Sequence, residues 1–330
     1  MSKKCIGCGE IMQFTDKDAL GYVNEKVYEK AEICERCFKL KYYGKDALVN
    51  KKVNSSEFID KLNKEKKSVL FLVDSLCISN EVFDTIKRLN TNVYVVLTKR
   101  DLLPKSVKDY KLIKYIKENT GVEKVLVISS KKKHGIDEVY NRLVKDNLKE
   151  IYVCGYTNAG KSTLINSLLK SKEKEAVVTV SSNPNTTLEE IKINLEGITF
   201  IDTPGFVSEN NISNFLDINI YKNLLAKKEI KPKVHTIKKE FMIILGNILR
   251  IENNNDETSL VFYFSNDMSL EKMRSIRNDR LKDKDKITIQ VNTNEDIVIE
   301  GIGFIKVNTN AILDIFALDK RVISKRNKMI

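Results

Sequence analysis

Between residues 55 and 205 the chain alternates short, continuous apolar runs with longer stretches in which apolar positions recur every three or four residues. Six segments, five of them largely apolar and the sixth alternating, are too short for helices: Val69–Asp74, Asn92–Leu97, Lys124–Ile128, Ile151–Cys154, Glu189–Asn194 and Ile198–Ile201. Each predicts a strand. The stretches around Glu81–Leu89, Val107–Glu118 and Ile136–Leu148 carry helical spacing, so strands and helices alternate and a doubly wound α/β sheet is expected. Asn211–Lys228 also reads as a helix. Beyond about residue 230, Leu260–Phe264, Ile287–Val291, Ile297–Gly301 and Ile312–Leu318 predict a mostly β domain.

One strand runs directly into chemistry. Ile151–Cys154 is followed by Gly155-Tyr-Thr-Asn-Ala-Gly160-Lys161-Ser162 and then by the helical Thr163-Leu-Ile-Asn-Ser-Leu-Leu, which is G-x₄-G-K-S between a strand and a helix. The glycines let backbone amides turn inward on phosphates, and the helix N-terminus adds its positive end. Asn158, Ala159, Gly160, Lys161, Ser162 and Thr163 form the expected phosphate cradle, with Lys161 as the cation and Ser162 as a magnesium ligand. About forty residues on, the strand Ile198–Ile201 ends in Asp202-Thr203-Pro204-Gly205. Asp202 can hold magnesium through water, and the Gly205 amide can meet a γ-phosphate. Between the two, Pro184-Asn185-Thr186-Thr187 offers the Thr187 hydroxyl to the same magnesium, although an ordinary loop has this composition too.

The base-reading elements lie upstream of this cradle. Asn92–Leu97 leads to Thr98-Lys99-Arg100-Asp101, close to the N-K-x-D element with which GTP-binding proteins read guanine. A carboxylate there accepts two hydrogen bonds from guanine; adenine would leave that acid unpaired. Lys124–Ile128 leads to Ser129-Ser130-Lys131, similar to the S-A-K loop whose amide meets guanine O6. Both sit where an open α/β sheet binds its ligand, at the C-terminal ends of strands.

Cys5-Ile-Gly-Cys8 and Cys34-Glu-Arg-Cys37 make a paired C-x₂-C pattern, which suits tetrahedral zinc in a segment too poor in large apolar residues to build its own core. An iron–sulfur cluster takes the same ligands. The Arg36–Tyr43 stretch, basic and aromatic, can stack on RNA bases or pack on the next domain. Cys77 and Cys154 lie in apolar runs and read as core residues. The formal charge of +12 favours polyanions, and it is uneven: residues 51–150 hold 22 Lys+Arg against 14 Asp+Glu (+8), and residues 151–210 hold 5 against 7 (−2). Lys238, Lys239, Arg274, Arg277, Arg280 and the tail Lys320, Arg321, Lys325, Arg326 and Lys328 offer a basic surface, with a merely solvated face as the alternative. No apolar run is long enough to span a bilayer and the N-terminus has no apolar core of a secretory signal, so a cytoplasmic protein with no membrane partner is expected.

CIGCG, ICERCFKLKYY, GYTNAGKST, PNTTLEEI and DTPGF, in this order and with the guanine-reading motifs first, resemble the circularly permuted GTPases of the YqeH type across essentially the whole chain. The resemblance implies GTP/GDP and magnesium at the cradle, zinc on Cys5, Cys8, Cys34 and Cys37, and a partner in the small ribosomal subunit and its rRNA, with the protein acting as a monomer. It also implies three parts: a zinc module over 1–48, a permuted GTPase domain over 49–210 and a basic C-terminal domain over 211–330. Asn158 resembles the asparagine that holds potassium against the phosphates in potassium-stimulated GTPases, with a simple turn former as the alternative. Lys161, Asn158, Thr187 and Gly205 are then the catalytic set. Phe206 occupies the position where Ras-like enzymes place a water-orienting glutamine, so slow intrinsic hydrolysis is expected. Three departures stand out: Thr98 for Asn, Asn185 for Gly and Ser130 for Ala. Thr98, lacking an amide donor, predicts weaker guanine affinity. The competing reading is a zinc-bearing RNA-binding protein whose nucleotide is structural; an ATPase or kinase would need Asp101 to be incidental.

Overall fold

The computed structural model describes residues 3–5, 10–16, 19, 21–29, 31–35, 55–171, 177–182, 189–276 and 278–330. The chain forms two compact units, each interrupted along the sequence: one of residues 1–73, 88–98 and 122–207, the other of 74–87, 99–121 and 208–330.

The first unit is built on a seven-stranded sheet. Its strands are β1 (Val69–Asp74), β2 (Val93–Thr98), β3 (Val125–Val127), β4 (Glu150–Gly155), β5 (Val177–Ser182), β6 (Glu189–Leu195) and β7 (Ile198–Asp202), in the order β3-β2-β1-β4-β7-β6-β5. Strands β2 and β3, β1 and β4, and β4 and β7 pair in parallel, whereas β6 and β5 run antiparallel at one edge. The five parallel strands, buried on both faces, carry the unbroken Val, Leu and Ile runs such burial demands. Three helices of this unit are α1 (Ser55–Lys64), α4 (Ile136–Lys145) and α5 (Lys161–Ser171). One face of the sheet packs Leu70, Tyr94, Val96, Ile151 and Val153 with Val139 and Leu143 of α4 and Leu164 and Leu168 of α5. On α1, Phe58 meets the rings of Tyr152 and Phe206. Strand β5 had no counterpart in the sequence reading.

The second unit joins α2 (Asn80–Lys87) and α3 (Asp109–Thr120) to ten C-terminal strands. These are β8 (Lys233–Lys238), β9 (Phe241–Leu245), β10 (Leu249–Asn253), β11 (Glu257–Tyr263), β12 (Leu270–Arg274), β13 (Asp285–Val291), β14 (Glu295–Ile299), β15 (Gly303–Val307), β16 (Ala311–Ala317) and β17 (Ile323–Asn327). They make two antiparallel sheets, β12-β9-β10-β16-β13 and β17-β14-β15-β11-β8. The sheets share one apolar core, in which Ile243, Ile251, Leu313 and Ile315 from one meet Leu260, Phe262, Ile297 and Ile305 from the other. The outer face of the second sheet is not left to solvent at its β17 end. Tyr115 of α3 donates its hydroxyl proton to the Asn327 carbonyl, 2.6 Å away, and Arg326 donates to the Ile78 carbonyl and pairs with Asp296. With both faces covered, β14 is buried almost throughout, in contrast to the alternating β8.

Two sequence expectations need correction. The helix expected over Asn211–Lys228 is a 3₁₀ turn, Ile212–Phe215, followed by a short helix α6, Ile218–Leu224. The Asn211 and Asp217 side chains each accept a backbone amide proton at a helix start, which divides the segment. Arg326, assigned to a basic surface, is a core residue: its guanidinium lies 4.3 Å from the Phe304 ring centroid. Arg280 is half-buried against Glu271, and Arg321 is held by Asp319; Arg277 lies outside the described residues. Among the described residues no helix is long and apolar enough to cross a membrane.

Candidate functional site

The cradle begins where β4 ends. Gly155 adopts φ +147°, and a Cβ there would stand 2.5 Å from the Leu72 carbonyl oxygen of β1, so only glycine lets the loop leave the sheet this close to the neighbouring strand. Asn158 is exposed in the left-handed region at φ +64°, a conformation asparagine tolerates better than most residues. Ala159 is buried, and Lys161 opens α5 with Ser162 and Thr163 in its first turn. The Lys161 Nζ donates to the Gly155 carbonyl at 3.1 Å, folding the amine over the loop.

Two backbone connections and one side chain fix this loop. The Phe206 amide donates to the Gly155 carbonyl (3.1 Å), and the Thr157 amide donates to the Phe206 carbonyl (2.9 Å). They stitch the cradle to the turn after Asp202-Thr203-Pro204-Gly205. The Phe206 side chain is only 1% exposed, among the rings of Phe58, Phe71 and Tyr156. No side chain at this position reaches toward the phosphates. The Thr98 hydroxyl lies between the carbonyl oxygens of Ala159 (2.7 Å) and Val73 (3.2 Å), donating to them, and its Cβ is the neighbour that a Cβ on Gly160 would meet. Thr98 therefore ties the end of β2 to the cradle, a role that the loss of the asparagine amide had obscured.

Asp202 is 4% exposed at the end of β7, and Thr203 donates to the Val153 carbonyl. A Cβ on Gly205 would come within 3.1 Å of Lys161 Nζ, so the bare glycine leaves the amine and the turn amide in one open corner. A buried carboxylate, the Ser162 hydroxyl and that corner suit a magnesium ion carried by phosphates. Thr187, with Pro184, Asn185 and Thr186, lies outside the described residues. Ser129 and His134 exchange backbone hydrogen bonds and the Ser129 hydroxyl accepts the Lys132 amide, closing a tight loop that presents Ser130 and Lys131 after β3.

In the second unit, Lys99, Arg100 and Asp101 follow Thr98 directly. Lys99 donates to Asp74 at 2.6 Å. Burial alone would lower its pKa, but the Asp74 carboxylate more than offsets this and holds the ammonium above its ordinary value. Arg100 donates to the carbonyls of Leu103, Pro104 and Val107 and to Asp109, pinning the loop that carries half-exposed Asp101. Neither Asp74 nor Arg100 was singled out from sequence. Asp74 ends an apolar strand as Asp202 does, which was the available signal.

At the N-terminus, Cys5 and Cys34 are both buried with Met12 and Val23 around them, and the Cys34 amide donates to Cys5 Sγ at 3.1 Å. Cys8 and Cys37 lie outside the described residues, as does Arg36–Tyr43. Among the described residues no three potential ligands gather. Burial pushes the Cys154 thiol up to about 12, and Cys77 likewise lies well above its usual range; both stay protonated, in keeping with packing roles.

Comparison with known proteins agrees with this arrangement. The family model described as 50S ribosome-binding GTPase matches residues 150–266. The chain is 31% identical over 295 residues to the Bacillus subtilis protein YqeH, covering 85% of this chain and 80% of that one. It is 31% identical over 183 residues to the GTPase Der of Karelsulcia muelleri, covering 51% of this chain and 40% of that protein. Over 141 residues it is 35% identical to the small ribosomal subunit biogenesis GTPase RsgA of Clostridium acetobutylicum, covering 42% of this chain and 46% of that protein. The chain thus spans less than half of Der and of RsgA. Near-full-length similarity to YqeH, a P-loop between β4 and α5, and guanine-reading motifs that precede it in the chain lead to one assignment: the chain belongs to the YqeH family of circularly permuted GTPases.

Proposed function

We propose that this protein binds and hydrolyses GTP and serves as an assembly factor for the small ribosomal subunit, contacting rRNA through basic parts that flank the GTPase core. The observation that carries the reading is the stitched cradle: Thr98, from the base-reading motif, and Phe206, from the γ-phosphate-sensing turn, are both bonded to the backbone of one P-loop. The names of RsgA and of the family model over 150–266 support the ribosomal part; the +12 formal charge supports the RNA part.

In this reading Lys161 leaves the Gly155 carbonyl for the β- and γ-phosphates, and the amides of Asn158 to Thr163 line the rest of the cradle. Ser162, Thr187 and Asp202 would hold magnesium, which neutralises charge developing between β- and γ-oxygens. Gly205 offers its amide to the γ-phosphate. Asp101 accepts from guanine, Lys99 and Thr98 shape the base pocket, and the Ser129-Ser130-Lys131 loop supplies an amide to the base. With Phe206 turned into the core, no glutamine orients water, so intrinsic hydrolysis is slow. Asn158 would hold potassium where other enzymes use an arginine. Cys5, Cys8, Cys34 and Cys37 would bind zinc and thereby fold the module over 1–48, ahead of a GTPase domain over 49–210 and a C-terminal domain over 211–330. The protein is expected to act as a monomer in the cytoplasm.

Phosphate release from GTP and ATP, each in potassium and in sodium chloride, tests the enzymatic part. Turnover of GTP alone, faster in potassium, is expected, and the Asn158→Ala variant should lose the potassium effect. Equal rates in the two salts would remove the cation role, and absence of turnover would favour a structural nucleotide.

A further inference from the structure

The second unit contains a group of lysines whose placement is unfavourable for the protein alone. Lys111 lies in the first turn of α3, where the helix end already carries positive potential and acidic residues are the stabilising choice. Lys306 projects from β15, and Lys328 follows β17, its Nζ donating to the Thr293 carbonyl at 3.0 Å. Lys111, Lys328, Asn294, Asn327, Met329 and Ile330 line an open recess of about 510 Å³. Lys306 senses this group directly: burial, then Lys328, then Lys111 hold its amine below the ordinary lysine value, and Asp296 opposes them.

One carboxylate, Asp296, faces these charges, and it is shared with Arg326. Lys111 and Lys306 have no ion-pair partner among the described residues. Asp296 stands opposite Lys306 across β14 and β15, but its Oδ2 is taken by Arg326 and by the Met329 amide. Asn294 and Asn327 add amide donors, and Tyr110, beside Lys111 in the first turn of α3, leaves its ring 64% exposed. Ammonium groups that outnumber the one carboxylate they share with Arg326 cost free energy that an anion entering the recess would recover. An exposed aromatic next to such a group is the arrangement that stacks an unpaired base while the lysines hold the backbone.

We propose that the recess lined by Lys111 and Lys328 between α3 and the end of β17, with Lys306 on the neighbouring strands, binds a phosphodiester of single-stranded RNA, with Tyr110 stacking on an adjacent base. The proposal rests on the RNA-binding reading above and gives it a defined contact. It also places that contact partly on α3, a helix encoded before the P-loop, and not on the C-terminal strands alone.

The test uses the full chain and a fluorescein-labelled oligouridine of twelve nucleotides, with affinity measured across a series of potassium chloride concentrations. The triple variant Lys111→Gln, Lys306→Gln, Lys328→Gln should bind at least about tenfold more weakly at low salt. Its slope of log affinity against log salt should be shallower by about 2, as expected for three lost phosphate contacts on a single strand. A charge-matched control at exposed lysines on or just past α1 and α2, Lys64→Gln, Lys66→Gln, Lys87→Gln, should bind nearly as the wild type. Tyr110→Ala should weaken binding about tenfold, and Tyr110→Phe should restore it. Thermal unfolding and GDP binding unchanged from the wild type show that the variants are folded. Equal losses in the triple variant and the control, or an unchanged salt slope in the triple variant, would overturn the proposal while leaving RNA binding itself standing. If the wild type binds no RNA, the broader reading fails as well. Tight binding of inorganic phosphate that the triple variant abolishes, with RNA affinity untouched, would mark the recess as a small-anion site and reject the proposal.

Discussion

Thr98 shows how one residue can depart from a motif and still do its work. Its hydroxyl links β2 to the P-loop, within hydrogen-bonding distance of the carbonyls of buried Ala159 and Val73. The isosteric Thr98→Val should lower stability by about 1–2 kcal/mol, because the buried Ala159 carbonyl, the nearer acceptor, loses its donor, whereas Thr98→Ser should fall near the wild type; calorimetric unfolding midpoints measure the difference. A Val variant as stable as the wild type would mean the link carries no weight. Phe206 makes the opposite point. Its backbone is bonded to the P-loop and its ring belongs to the core, so Phe206→Gln should destabilise the first unit without accelerating phosphate release. Faster turnover in that variant would show that the side chain can swing to the phosphates. From sequence, the identity of Phe206 foretold a missing glutamine, but its three ring neighbours come from α1, β1 and the P-loop and no local pattern announces them.

Among the elements, those with strong periodicity were legible and those defined by distant partners were not. All six strands read between residues 55 and 205 are present within one or two residues; five are apolar runs buried on both faces, and β6 alternates buried Ile193 and Leu195 with exposed Asn194. The C-terminal strands were half seen: β11, β13, β14 and β16 have long apolar runs, whereas β8, β12 and β17 carry lysines and arginines that read as surface or tail. Arg326 is the clearest case, since the helices that bury it lie more than 200 residues earlier in the chain. The same covered face holds Glu300, whose neighbours bring several elements together. Ser324 donates to Glu300 (2.7 Å), Ser208 donates to Glu81 of α2 (2.6 Å), and the Ile212 amide donates to the Glu300 carbonyl (3.0 Å). Burial pushes the Glu300 carboxyl up to about 7; hydrogen bonds from Ser324 and Ser79 oppose this and the charge of Glu81 adds to it. A carboxyl that holds its proton more tightly when folded contributes stability below its unfolded value of 4.5 and loses it as pH rises through 7. The wild type should therefore lose up to about 3 kcal/mol relative to Glu300→Gln between about pH 5 and pH 8. Denaturant midpoints of the two proteins against pH give the comparison, and parallel curves would contradict it.

At the scale of the whole molecule, permutation decides where the chain passes from one unit to the other. One passage falls between Thr98 and Lys99, inside the base-reading motif, and another between Val207 and Ser208, just past the turn that would sense γ-phosphate. The order of motifs was plain in the sequence, since each is a short local signature, and it pointed to the family before any contact was known. The grouping of residues 74–87 and 99–121 with the C-terminal strands was not, because it depends on buried pairs such as Arg326 with the Ile78 carbonyl. The central claim is that Asp101, from a motif early in the chain, reads the guanine of a nucleotide whose phosphates rest on Lys161. It is tested most directly by the affinities of GDP, ADP and xanthosine diphosphate for the wild type and for Asp101→Asn. An asparagine amide donates where the carboxylate accepts, and xanthine offers a carbonyl where guanine offers an amine. The wild type should prefer GDP to ADP by about a hundredfold or more, and Asp101→Asn should lose GDP and gain the xanthosine nucleotide. Equal affinity of the wild type for GDP and ADP, or a variant that binds GDP as before, would contradict the account.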